Sequence, residues 1–258
     1  MHAMDNMSSF LVFEAAAACL MLGALIIYPA LMHRANKTHR RWPLHRPVFW
    51  ALGVLAAAAA LVGPLAQLSH SDFTVHMLGH LLLGMLAPLL MLMAKPMTLL
   101  MRALDVRHAR RLSRILNSKY VHFISNPAVA SLLNIGGLFL IYKTGLFTAM
   151  HTSAWLFALI HLHVFLAGYL FTMSIVYIDI TTRRYSFIYR AAVLIIALGF
   201  HKILSKLIYA APPEGVPQAE GETGAMLMYY GGDVIDLALI IILCSQRYQS
   251  RSPKPAVR

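Results

Sequence analysis

Seven long apolar blocks constrain this chain more than any other feature of its sequence. A helix needs about 20 mostly apolar residues to cross a bilayer, and such blocks cover residues 9–32, 48–69, 73–94, 127–149, 153–177, 187–209 and 224–246. Because lipid offers no hydrogen-bond partners, each block must pair its own backbone groups as a helix. Only 12% of the chain is charged, against about 25% in soluble domains. The sequence therefore predicts an all-α polytopic bundle, a single membrane domain over residues 1–258 with seven transmembrane helices.

The basic residues alternate between connections and so predict the orientation. They lie in connections 1–2, 3–4 and 5–6 and in the C-terminal tail, at Arg34, Lys37, Arg40, Arg41, Arg46, Lys95, Arg102, Arg107, Arg110, Arg111, Arg114, Lys119, Arg183, Arg184, Arg247, Arg251, Lys254 and Arg258. The other connections, SHSD, MHTS and APPEGVPQAEGETG, contain no Lys or Arg. The positive-inside rule then places the N-terminus outside and the C-terminus in the cytoplasm. Without a basic n-region or a cleavage site, the first block is expected to be a retained span.

The longest basic connection, residues 95–126, is predicted to be a cytoplasmic loop with a surface helix. Its stretch LLMRALDVRHARRLSRIL places apolar residues at helical spacing with basic residues between them, as in an interfacial amphipathic helix. A solvated run of charge is the alternative. The net charge of +12 is divided into such short runs between apolar blocks. This pattern favours the lipid bilayer over nucleic acid as the partner.

Ionisable side chains within the predicted spans are the main functional signal, because they are costly in lipid and usually face the bundle interior. They are Glu14, His76, His80, Lys143, His161, His163, His201, Lys202, Lys206, Asp233 and Asp236. At about 1.5 Å per residue, the histidines and Asp233 lie about 5–15 Å from the outer ends of their spans. Four spans therefore bring polar groups to overlapping depths, and we expect a common site in the outer half of the membrane.

The histidine spacing indicates which rings can share a ligand. His76 and His80 are four residues apart, so they share a helix face and can chelate one metal ion. His161 and His163 are two apart and point to nearly opposite faces, so at most one of them can join that site. The alternative for each ring is a hydrogen bond between helices.

Acids and methionines supply the remaining candidate groups. Asp233 and Asp236 share a face, and either is a possible ligand or, preferably, an acceptor that orients a histidine. Imidazole together with the soft thioethers of Met77 and Met228 suits copper better than magnesium or calcium. Other methionines, Met85, Met91, Met93 and Met97, are expected to be packing residues. Lys202 and Lys206 are expected to snorkel outward or to pair with an acid such as Asp233.

The third block resembles the third-span signature of the multi-span CtaG assembly factors of bacterial cytochrome c oxidase. The residues that carry the likeness are His76, His80, Ala87, Pro88 and Pro96, within HMLGHLLLGMLAPLLMLMAKP. Weaker likenesses are HVFLAGYLF in span 5, YRAAVLIIALGFHKIL in span 6 and GAMLMYYGGDVIDL in span 7. Departures from the family pattern are Ile141-Tyr142-Lys143-Thr144, Leu162 and Tyr229.

This resemblance implies a metallochaperone or assembly factor, not an enzyme, in the bacterial inner membrane. It implies copper supply to subunit I of a cytochrome oxidase, with copper received from a periplasmic chaperone. It also favours His163 over His161, so that the expected copper ligands are His76 and His80 together with His163 or His201.

Two other functions fit intramembrane histidines. A seven-span zinc hydrolase would use histidine ligands and an aspartate that activates water, although its His-x-x-x-His lies in the last span and here the pair is in span 3. A b-type haem protein would need axial histidines from opposite sides of the haem, such as His80 with His163 or His201. A purely structural membrane partner is the third alternative.

Overall fold

The structure is a computed structural model that describes residues 2–181 and 183–251, so Lys254 and Arg258 of the basic tail lie outside it. In chain order, the α-helices are His2–Thr38, His45–Leu61, Pro64–Leu68, Phe73–Leu81, Ala87–Met93, Pro96–Ala103, Val106–Leu116, Lys119–Ile124, Pro127–Ser131, Gly137–Lys143, Leu146–Thr152, Ala154–Ile175, Phe187–Ala210 and Gln218–Arg251, with π-helical turns at Leu82–Leu86 and Leu132–Gly136. The described part of the chain contains no strand, which confirms the all-α class.

Among the described residues, six helical segments are long and apolar enough to cross a membrane, or seven if one bent pair counts as a single span. The bent pair is Pro127–Lys143 with Leu146–Thr152, which turn by 78° in place of the predicted straight fourth span. The helix breaks because Thr144 has extended backbone dihedral angles. The first and last helices also run beyond their apolar blocks, to Thr38 and from Gln218, since polar residues continue a helix where water can solvate them.

The connections group as the charge alternation requires. The segments Ser69–Phe73, Phe147–His151 and Glu214–Pro217 contribute to the wall of one cavity; the connections that they belong to contain no Lys or Arg. At the other end of the bundle, Asp179 of connection 5–6 accepts hydrogen bonds from the backbone of Met97 and Thr98 in connection 3–4. Which of these two ends faces outside stays a prediction from the charge rule.

Connection 3–4 contains three short helices where the sequence predicted a single surface helix over residues 99–116. The break falls at Leu104–Asp105, because Asp105 accepts a hydrogen bond from the His108 N–H and so begins a new helix. The hydrogen bonds from His108 also lower the pKa of Asp105. The helix Val106–Leu116 buries no residue. Its contact with lipid stays a prediction.

The third span, Phe73–Met93, is the most enclosed part of the fold. In its most apolar stretch 61% of the residues are buried, against 6% in the first span, Ser9–Thr38. The π-helical turn Leu82–Leu86 interrupts it, and the Ala87 N–H bonds the Leu82 carbonyl. Pro88 follows, and proline has no N–H for the carbonyl four residues earlier, that of Gly84. That carbonyl faces Gly168 of the span Ala154–Ile175, where a Cβ would collide with it.

Glycine at position 168 is therefore required for the close approach of these two spans. We expect Gly168→Ala to destabilise the fold by about 1–3 kcal/mol, as overpacking does. The matched control is Gly199→Ala, also mid-helix, where an added Cβ meets no atom within 4 Å; it should stay within about 1 kcal/mol of the wild type. Thermal unfolding of the purified proteins in one detergent measures both. Equal melting temperatures for the two variants would contradict the contact.

Candidate metal centre

A small cavity between the spans joins two buried histidine rings. His80 and His201 contribute to its wall, and its volume is about 20 Å³. Their ring centroids are 6.4 Å apart, and the rings are 7% and 4% exposed. Neither Nε2 atom has a hydrogen-bond partner among the described residues. An unpaired buried polar atom costs about 1–3 kcal/mol, so each of these two nitrogens is a candidate position for a bound ligand.

Local backbone features place the two rings. His80 is the penultimate residue of the helix Phe73–Leu81, two residues before the π-helical turn begins at Leu82, and Gly84 of that turn lies against its ring. Gly232 of the last span leaves space for the His201 ring, because a Cβ there would lie 3.0 Å from its Cε1 atom. Glycine at position 232 thus leaves room for the His201 imidazole, whereas a Cβ at position 84 would be tight only against Val164.

The cavity wall also contains groups that the sequence reasoning assigned differently. Asp236 lies in the wall and is 4% exposed. Met85 lies there too, although it was expected to be only a packing residue. Met77 and Met228, the predicted soft donors, are instead completely buried in a core cluster of apolar side chains. The helical phase that distinguishes these methionines cannot be read from a uniformly apolar sequence.

The geometry suits an ion with few ligands. No group of three His, Cys, Asp or Glu side chains within the described ranges is placed to hold a metal. Two imidazoles that bind one ion from opposite sides, at about 2.0 Å each, have ring centroids about 6 Å apart, close to the observed 6.4 Å. A volume of about 20 Å³ holds one water-sized species, whereas a haem needs a pocket of about 300 Å³ or more.

The predicted pair His76 and His80 is divided by Tyr142. The Tyr142 ring lies 6.0 Å from that of His76 and 6.2 Å from that of His80, and the Tyr142 hydroxyl is 3.1 Å from the His76 Nε2. Because that nitrogen already has a partner, His80 lies better placed to bind an ion with His201 than with His76.

The structure places His161, and not the preferred His163, near the other histidines. The His161 ring is 6.4 Å from that of His76. His163 instead lies beside Gly137 and donates from Nε2 to the Leu133 carbonyl, at 3.2 Å. The expectation that only one of the two could face the bundle agrees with this arrangement. The rotation of the helix selects that one, and His163 as a metal ligand stays a prediction from the resemblance.

The two aspartates of the last span also differ in position. Asp233 forms an ion pair with Lys202, and its side chain is 48% exposed. The Lys202 ammonium also lies 3.8 Å from the Tyr229 ring. The predicted pairing of Lys202 with an acid is confirmed, but Asp233 does not orient a histidine. Asp236 alone stays beside the cavity.

Two histidines in the connections escaped the sequence reasoning, which considered only residues within spans. His70 of SHSD and His151 of MHTS have ring centroids 5.9 Å apart. Desolvation by neighbouring residues lowers the pKa of the exposed His70 below its ordinary value, and repulsion from His151 adds to this effect. Comparing the loops that share one end of the bundle would have found this pair.

Comparison with known proteins identifies the family. The profile of the cytochrome c oxidase caa3 assembly factors (Caa3_CtaG) matches residues 26–250, most of the chain. The chain belongs to this family. The resemblance seen in the third span is thereby confirmed. No solved structure matches the chain.

Curated relatives come from mycobacteria. An uncharacterized protein of Mycobacterium leprae is 29% identical over 192 residues, which are 72% of this chain and 29% of that protein. Uncharacterized proteins of Mycobacterium bovis and Mycobacterium tuberculosis are 29% identical over 194 residues, with the same coverage. This family member thus spans less than a third of the length of the curated relatives it matches.

The Lys202–Asp233 pair can be tested by a double-mutant cycle. Lys202→Met and Asp233→Leu each leave an unpaired charge near lipid, whereas the double variant leaves none. We expect the double variant to be more stable than the sum of the two single losses indicates, by about 0.5–3 kcal/mol. Thermal unfolding of the four proteins gives this coupling energy. A value of zero would show that the two charges do not interact.

Proposed function

We propose that this assembly factor binds Cu(I) between His80 and His201 and supports copper insertion into a haem–copper oxidase. The family supports the assembly role. The observation that supports the metal is that His80 and His201 line one cavity and that the buried Nε2 atom of each has no hydrogen-bond partner among the described residues. The protein acts as a metallochaperone and not as an enzyme in this proposal.

The ligand types favour Cu(I) over zinc. Structural zinc takes four ligands and catalytic zinc takes three protein ligands, but no three suitable side chains of the described residues converge. Imidazole and thioether donors suit copper, and Met85 lies in the same cavity wall as the two histidines. A zinc-dependent hydrolase therefore has less support than a copper carrier.

The proposed partners follow from the depth of the site. His80 and His201 are buried within spans, so copper would leave sideways toward a membrane partner, which we propose to be subunit I of the oxidase. Copper would arrive from a periplasmic chaperone at the outer end of the bundle. The proposed location is the bacterial inner membrane.

Copper content tests the site directly. Purified protein incubated with Cu(I) under anaerobic conditions should retain about one ion per chain after desalting, and His80→Ala/His201→Ala should lose nearly all of it, because removing ligands abolishes the site. The matched control is His163→Ala, which removes an intramembrane histidine that bonds a backbone carbonyl. Equal copper in the wild type and in the His80→Ala/His201→Ala variant would disprove the assignment.

The soft donor can be tested separately. Met85→Leu conserves side-chain volume and removes the sulfur, so it should weaken Cu(I) binding without a comparable loss of folding stability. Met91→Leu is the control, because Met91 is buried against Gly53 and is absent from the cavity wall. Competition with a Cu(I) chelator measures both affinities. Equal Cu(I) affinities in the two variants would show that Met85 is a packing residue and not a copper ligand.

A further inference from the structure

Beyond the buried pair, further histidine rings form a continuous series from the surface into the bundle. The ring centroids are 5.9 Å apart for His70 and His151, 6.1 Å for His151 and His76, and 6.4 Å for His76 and His161. Tyr142 lies between His76 and His80 and contacts both rings. Each spacing is close to the value of about 6 Å expected for two imidazoles that share one ion.

The series descends in depth. His70 is exposed and His151 is half-buried, whereas His76 is 6% exposed. These rings come from connection 2–3, connection 4–5 and span 3, so the fold brings together residues that are far apart in sequence. A row of core histidines would have no reason to extend to an exposed loop.

The outer end of the series opens into a cavity of about 210 Å³. His70 and His151 lie in its wall together with Asp72, Glu214 and Glu220. Asp72 and Glu220 also accept hydrogen bonds from the backbone N–H groups of Val75 and Phe73. Carboxylates around a cleft attract cations and raise their association rates, and no Lys or Arg lies in this wall.

Backbone carbonyls fix two of the rings in the form that binds metal. The His151 Nδ1 is 2.8 Å from the Phe147 carbonyl, and the His161 Nδ1 is 2.8 Å from the Phe157 carbonyl. A carbonyl can only accept, so Nδ1 must carry the proton in each ring. The Nε2 lone pair then stays available for an ion.

We propose that His70 and His151 form an outer acceptor site for Cu(I), from which the ion passes by way of His76, past Tyr142, to the His80–His201 pair. This route rests on the proposed function, since it needs the inner pair to bind copper. At each step a copper–nitrogen bond to the next ring forms as the bond to the previous ring breaks. The ion stays Cu(I), so no electron donor or acceptor is required.

The experiment measures how fast and how far copper loads into purified full-length protein. Cu(I) is supplied as its bicinchoninate complex under anaerobic conditions, and the decay of the complex's absorbance gives the loading rate and the final amount. The variants are His70→Ala/His151→Ala for the outer pair and His80→Ala/His201→Ala for the inner pair. The control is His33→Ala/His39→Ala, two exposed histidines near the far end of the first helix.

We expect the outer-pair variant to load copper about tenfold more slowly than the wild type, as loss of a steering site does. Its final copper content should equal that of the wild type. The inner-pair variant should bind almost no copper at the end of loading, and the control should match the wild type in both rate and final amount. Elution of each variant as a single species in size-exclusion chromatography shows that it is folded.

Two results would overturn the route, and they are distinguishable. If the outer-pair variant loads as fast as the control while the inner-pair variant loses copper, the inner site stands and the route is wrong. If the inner-pair variant retains all of its copper, the proposed function fails and the route fails with it.

Discussion

The structure depends on the contact between the Gly84 carbonyl and Gly168. Within lipid, backbone groups must find partners inside the protein, yet Pro88 offers no N–H to the Gly84 carbonyl. The π-helical turn absorbs this irregularity, and π-helical turns occur often at functional sites. Because Gly168 has no side chain, the two spans approach closely, and His80 lies two residues before the turn begins at Leu82. The irregularity that proline causes is thus what fixes the position of the ring.

Unsatisfied nitrogens are informative in such an interior. The Tyr142 hydroxyl bonds His76, and backbone carbonyls bond His151, His161 and His163. Only His80 and His201 in this group retain a buried Nε2 without a partner. An apolar replacement would avoid that cost, since removing both polar groups is often neutral for stability. A pair of this kind is therefore better explained by a ligand than by packing.

The sequence is more informative about the depth of a residue along its helix than about the rotation of that helix about its axis, and the reason is physical. Apolar length and loop charge locate residues along the bilayer normal, which is why His76, His80 and His201 fall at related depths. Rotation depends on an apolar stripe, but lipid-facing side chains are as apolar as the core. Rotation decides that His161 lies against His76, that Asp233 pairs with Lys202, and that Asp236 lies beside the cavity. His70 and His151 were missed because they lie in the connections between spans, where histidines were not considered as ligands.

Few ligands at each step suit a protein that must release its cargo. A site with four good donors would hold copper too firmly to pass it on, whereas several weak sites allow an ion both to enter and to leave. The ring spacings are similar at the two ends of the proposed route, 5.9 Å for His70 and His151 and 6.4 Å for His80 and His201. In the proposed route the Tyr142 hydroxyl would compete with the ion for the His76 nitrogen that it contacts. Competition at the middle of the series favours onward movement to the two nitrogens that have no other partner.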